Sequence, residues 1–233
     1  MVVAVFLTWM YPAGQSAADH LVQHHKLKCG QYFPCPDALR RRVDFWIDVY
    51  GRWRTNDAIL HDAQRPHRVY KIIKDKACGR KGNTQFIKEQ KRQIRLRLER
   101  IAILIERKKT ITQAKDKHYL NMFPGRSPAA LRRAARNLRC QSGNKDGFRN
   151  ALRRFGTYGP IVRRVLKDAG LHQDIQYLPF VESSYNPEAY SRVGAAGMWQ
   201  IMPRTARVLG LSLIHISEPT RLLSISYAVL CVK

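Results

Sequence analysis

The chemistry of this chain concentrates on one carboxylate. Glu182 closes the apolar run Leu178-Pro-Phe-Val and is followed by Ser183-Ser-Tyr-Asn-Pro187. Ile175, Leu178 and Glu182 fall at i, i+3 and i+7, a spacing that predicts one helix face carrying an apolar stripe into the acid. A carboxyl group held against apolar neighbours favours its neutral form, so its pKa is expected to rise toward values where it donates a proton. Asn186-Pro187 is expected to stop the helix, because a residue before proline avoids the helical region. An acid at a helix end, beside a cleft, can protonate the leaving oxygen of a glycosidic bond. Taken alone, Glu182 would read more simply as a Glu on an exposed helical turn. The residues that follow change that reading.

Gly194-Ala-Ala-Gly-Met-Trp-Gln200 begins with four residues that have almost no side chain, so backbone can approach a bulky ligand there. Trp199, Tyr185 and Tyr190 could offer flat apolar faces to sugar rings, and their polar tips could hydrogen-bond. Gln200 both donates and accepts, which suits a hydroxyl or an acetamido group. The plainer alternative makes Met198 and Trp199 core packing and has Gln200 satisfy local backbone.

In this register the two motifs resemble the start of the catalytic domain of the lytic murein transglycosylases, lysozyme-like enzymes that cut bacterial peptidoglycan, and in particular the membrane-bound D type. The resemblance is dense from Gly147 to Gly210 and thin before it. It implies that Glu182 protonates the oxygen between N-acetylmuramic acid and N-acetylglucosamine. Glu182 then serves as base while the muramyl C6 hydroxyl attacks C1, giving a 1,6-anhydro end without water. It further implies that Ser183, Tyr185, Asn186, Gly197, Trp199 and Gln200 contact the glycan, with no cofactor and no metal. Hydrolysis would need a second carboxylate. Glu188, beyond the proline, is not read as one. The implied partner is the peptidoglycan glycan strand, with no nucleic acid. The implied place is the periplasm or cell envelope of a Gram-negative bacterium, with peripheral membrane or envelope association.

The elements that must position this site read as helices. The expected class is all-α: a basic helical region over 19–146 leading into the first part of a lysozyme-like (SLT) domain at 147–211, incomplete at its C-terminus. Asp37–Tyr50 carries Leu39, Val43, Trp46, Ile47 and Tyr50 at helical spacing. Gln85–Lys109 is the clearest helix, with Ile87, Ile94, Leu98, Ile101 and Ile105 in one stripe and basic residues opposite. That stripe reads as packing rather than as a membrane-surface face. Ser127-Pro128 is expected to start a helix bearing Leu131, Ala135 and Leu138, and Gly143–Gly147 is a break. Phe148–Gly170 reads as two short amphipathic segments around Gly156 and Gly159-Pro160. In it, Arg154, Arg163 and Arg164 are either exposed charges or contacts for glycan-associated carboxylates. No strand-type alternation of any length is evident.

Composition narrows the class. Of 233 residues, Lys and Arg number 42 against 17 Asp and Glu, a net charge of +25. This suits an anionic polymer, whether cell wall or nucleic acid. No nucleic-acid-binding motif accompanies the charge, so a basic helical nucleic-acid binder ranks below a noncatalytic peptidoglycan binder, and both rank below the enzyme. Val2–Trp9 followed by Ser16-Ala-Ala18 reads as a signal peptide over 1–18 that lacks the positive n-region, and its apolar run is too short to span a bilayer. Four cysteines, Cys29, Cys35, Cys78 and Cys140, allow three pairings, and the sequence does not choose among them or exclude free thiols. Cys29 and Cys35 with His24 and His25 lack a second ligand pair for zinc, so no metal site is assigned. From Leu211 the run Leu-Ser-Leu-Ile-His-Ile-Ser-Glu-Pro-Thr-Arg reads like a translated sequencing adapter, so 212–233 is expected to be non-native read-through. On that expectation the groove is incomplete, this polypeptide is inactive, and Ile175, Leu178 and Val181 lack helices to cover them.

Overall fold

The isoleucine stripe of Gln85–Lys109 is the spine of the first half of the molecule. A computed structural model describes residue 34 and residues 36–210. The signal-like segment, Cys29, Cys35 and the stretch from 211 lie outside the described residues. The chain divides into two units between Gly143 and Asn144.

The first unit contains helix α1 (Asp37–Gly51), strands β1 (Ala58–Asp62) and β2 (Val69–Ile73), helices α2 (Thr84–Glu106), α3 (Ala114–Asn121) and α4 (Pro128–Arg136), and strand β3 (Leu138–Ser142). On α2, Ile87, Ile94, Leu98 and Ile101 are buried and Ile105 packs against their cluster, so the stripe belongs to a core. Helix α4 lies on α2, with Leu131 and Ala135 fully buried. Its start is as the sequence predicts: Pro128 at the first turn, and the Ser127 hydroxyl accepting from the Ala130 amide at 3.4 Å. Leu138 lies beyond the helix, in β3.

The three strands form an antiparallel sheet in the order β2-β1-β3, an addition to the mainly helical reading. Its central strand escaped notice because it is buried throughout. Ile59 packs with Phe45, Val49 and Trp53 on the α1 side, while Ala58 and Leu60 join the cluster of α2 and α4. A strand covered on both faces writes no polar-apolar alternation. Leu60 pairs with Cys140, and Cys140 forms a disulfide with Cys78, which sits in the loop after β2. That bond resolves one of the pairings left open by the sequence. Gly143 ends the unit where no side chain fits: a Cβ there would lie 2.4 Å from the Trp53 and Arg54 carbonyl oxygens.

Helix α1 has the predicted extent and a different buried face. Leu39, Val43 and Trp46 are exposed, whereas Asp44, Phe45, Asp48 and Val49 point inward. The acids are buried with i,i+4 arginines at hand, Arg40 at 3.8 Å from Asp44 and Arg52 at 3.7 Å from Asp48. Apolar periodicity alone cannot anticipate a buried face half made of carboxylates.

The second unit contains α5 (Lys145–Asp168), a 3-10 turn (Gln173–Tyr177), α6 (Leu178–Glu182) and α7 (Pro203–Val208). Helix α5 corrects the expectation of two short segments. It runs unbroken through Gly156 and Pro160. An interior proline costs about 3 kcal/mol. Burial of Val162, Val165 and Leu166, each contributing roughly 1.5–3 kcal/mol, outweighs it. Val162 and Leu166 meet Tyr185 and Met198 in this unit's main core, with Phe155, Ile175, Phe180 and Trp199 packed around them. Among the described residues no helix is long and apolar enough to cross a membrane.

Candidate active site

Glu182 is the last residue of α6, and its side chain is exposed. The stripe expected to lead into it is only partly present. Ile175 packs on the core, but it lies in the 3-10 turn, and the inward residues are Gln176, Pro179 and Phe180. Leu178 is 53% exposed and Val181 72% exposed, so the apolar enclosure anticipated around the carboxylate is absent among the described residues.

Proline is not what stops α6. Ser184 and Tyr185 adopt left-handed backbone, with φ of 55° and 60°, before Asn186-Pro187 is reached. Such conformations are unfavourable for non-glycine residues and persist only where surroundings hold them. Several bonds do so here. The Ser183 hydroxyl donates to the Met198 carbonyl at 2.7 Å and accepts from the Asn186 amide at 3.2 Å. The Arg154 Nε donates to the Ser184 carbonyl at 3.2 Å. The Tyr185 hydroxyl donates to the Gln176 carbonyl, and Arg163 donates to the Gln176 side-chain oxygen at 3.1 Å.

Tyr185 is fully buried, with ring centroids 5.1 Å from Phe155 and 4.8 Å from Phe180. Burial pushes its phenol pKa upward. Its sugar-facing role is therefore corrected to a packing role, since no face of the ring reaches solvent. Ser183 likewise has its hydroxyl committed to backbone. Asn186 accepts from the Glu188 amide at 3.2 Å, closing the next turn.

The small-residue segment folds back on itself. Ala196 bridges both Tyr190 and Ile201, and the Gly197 amide donates to the Ala189 carbonyl at 2.8 Å. Gly197 takes φ 74°, which its lack of a Cβ permits. Gln200 sits at φ 50°, and its amide nitrogen donates to the Gly197 carbonyl at 2.9 Å. Half of its hydrogen-bonding capacity thus goes to local backbone, leaving the side-chain oxygen for a ligand. Trp199 is partly buried between two apolar clusters, and its indole N–H has no hydrogen-bond partner among the described residues. Tyr190, by contrast, is 71% exposed.

The Ser183–Met198 bond therefore brings the Glu182 turn and the Gly-Met-Trp-Gln segment together in one unit. Of the arginines read as exposed charges or glycan contacts, Arg163 and Arg164 are exposed, and Arg154 and Arg163 also brace this turn. Their actual partners, a backbone carbonyl and a buried glutamine, lie far along the chain, and no local spacing announces them.

Comparison with known proteins falls on this same segment. Residues 163–226 match the family model described as the Transglycosylase SLT domain, a span that begins within α5 and includes Glu182. It continues past Gly210 into the stretch read from sequence as read-through. Over 68 residues the chain is 35% identical to "Membrane-bound lytic murein transglycosylase D" of Escherichia coli strain K12. The same identity over the same length holds for the protein of that name in Escherichia coli O6:H1. Each match covers 29% of this chain and 15% of the relative. No solved structure matches. The site-bearing segment is thus similar to the SLT domain of lytic transglycosylases, over a short part of those relatives' length.

Proposed function

We propose that the protein cleaves the β-1,4 bond between N-acetylmuramic acid and N-acetylglucosamine in peptidoglycan, leaving a 1,6-anhydromuramyl end. The observation that carries this reading is Glu182, exposed at a helix terminus on a turn pinned by Ser183 to the Met198 carbonyl. The carboxyl proton passes to the glycosidic oxygen as the C1–O bond breaks. The resulting carboxylate takes the proton of the muramyl C6 hydroxyl as that oxygen bonds to C1. One group serves as acid and then base, so no second carboxylate is needed. Tyr190 supplies a face for a sugar ring and Gln200 a carbonyl acceptor, while Trp199 packs between two apolar clusters. Ser183, Tyr185, Asn186 and Gly197 hold the turns that present them.

The reading places the protein in the cell envelope, where its substrate lies, in line with the membrane-bound relatives. The test is digestion of murein sacculi by the full-length protein. Glu182→Gln is expected to lower anhydromuropeptide release by about 10²–10⁴-fold while sacculus binding persists, since the amide keeps the shape but carries no acidic proton. Undiminished release would remove Glu182 from the reaction and leave a noncatalytic binder or another acid to be found.

A further inference from the structure

The first unit holds a cleft that the glycan chemistry does not use. Its walls are the start of α1, the connection between β1 and β2, and the end of α3, and its volume is about 780 Å³. Among the described residues, Arg41, Arg42, Arg65 and Arg68 line it together with one acid, Asp37. The guanidinium of Arg68 lies 4.2 Å over the Phe123 ring and 3.6 Å from Asp62. Arg68 is 7% exposed, yet its Nε has no hydrogen-bond partner among the described residues. The buried Nδ1 of His67, on the same wall, also lacks one. Unmatched buried polar atoms are costly, and both of these belong to residues that line the open cleft.

The cleft stays cationic without help from histidine. Burial, followed by the charges of Arg41, Arg68 and Arg65, lowers the His67 pKa to about 4. The imidazole is therefore neutral near pH 7 and offers one donor and one acceptor. Guanidinium groups shed water readily and match a carboxylate with two parallel bonds. The amides of Gln64 and Asn121 line the same walls and suit peptide groups, while Met122 supplies apolar surface. Among the described residues no Phe, Tyr or Trp lines the cleft, so they offer a nucleic-acid base no such ring to stack on.

We propose that this cleft binds a short acidic peptide, its carboxylates meeting Arg41, Arg65 and the buried Arg68. On the proposed cell-wall function, on which this identification of the source rests, the peptide is the carboxylate-bearing stem of peptidoglycan. The cleft belongs to the first unit, whereas Glu182 belongs to the second.

The test is fluorescence anisotropy at physiological salt with the full-length protein and two labelled probes, a muropeptide stem peptide and an unrelated Glu-rich peptide. Arg41→Gln combined with Arg65→Gln, both at exposed positions, is expected to weaken binding about tenfold or more. Lysines at the same sites should restore only part of it, because an ammonium cannot form the bidentate pair. Arg133→Gln with Arg136→Gln, on the exposed side of α4, removes equal charge and should leave binding unchanged. If the α4 pair weakens binding as much, the attraction is only that of net charge and the proposal falls. It falls too if the cleft pair binds like wild type, or if inorganic phosphate or an oligonucleotide competes as well as acidic peptide. Specific binding of the Glu-rich probe without the stem peptide keeps the site but removes the cell wall as its source. Glu182→Gln should bind both probes normally, so failure of the catalytic reading and failure of this one remain distinguishable.

Discussion

At Ser183 one hydroxyl bridges two stretches of chain, donating to Met198 and accepting from Asn186. Each such bond is worth about 1 kcal/mol net, so the pin is a modest stabiliser. Its greater consequence is geometric, because it fixes the residue next to the proposed acid. Ser183→Ala is expected to lower kcat for anhydromuropeptide release by about tenfold with little change in KM, as the loosened carboxyl group spends less time aligned. A rise in KM at constant kcat would instead place Ser183 in direct contact with the glycan. The proposed role of Glu182 rests on a local sequence pattern, an acid before Ser-Ser-Tyr-Asn-Pro. Tyr185 was misread, because exposure is decided by partners such as Phe155 and Phe180 rather than by the aromatic type. Arg68 and His67 were not legible at all, since nothing local marks a basic residue as buried with an unmatched nitrogen.

Among the elements, α2 was the easiest to read and α5 the hardest. Every residue of the α2 stripe faces inward, so its 3.6-residue period survives intact in the sequence. Helix α5 contains three glycines and a proline that look like punctuation. Tertiary packing overrides them, although the proline still deprives the helix of one backbone hydrogen bond. Pro160 lies on the exposed side of the helix. Pro160→Ala should therefore restore a backbone hydrogen bond without disturbing the core. Urea unfolding is expected to show a gain of about 2 kcal/mol, the helical gain less the larger entropy of the unfolded chain. A loss would mean that α5 needs its proline for a bend that the core requires. Helix α1 shows the converse failure, with its length correct and its buried face wrong, because Asp44 and Asp48 occupy positions that periodicity assigns to apolar residues.

Across the whole molecule, the strongly basic balance coexists with a first unit closed by a covalent bond. The Cys78–Cys140 disulfide spans 62 residues of sequence and ties the loop after β2 to β3. Closing a loop of that length removes unfolded-state entropy worth about 4 kcal/mol. Cys78→Ser with Cys140→Ser is expected to lower the stability of this unit by roughly 2–5 kcal/mol in chemical denaturation. An unchanged midpoint would show that the bond contributes nothing to the folded unit. The pairing itself could not be read from spacing, since only the sheet brings the two cysteines together.

The central claim, one carboxylate acting as acid and base without water, is tested most directly by mass spectrometry of products released from sacculi by the full-length protein. The account predicts muramyl ends lacking one water relative to hydrolysed ends, and their disappearance in Glu182→Gln. Reducing muramyl ends as the main product would contradict it, because hydrolysis requires a second carboxylate.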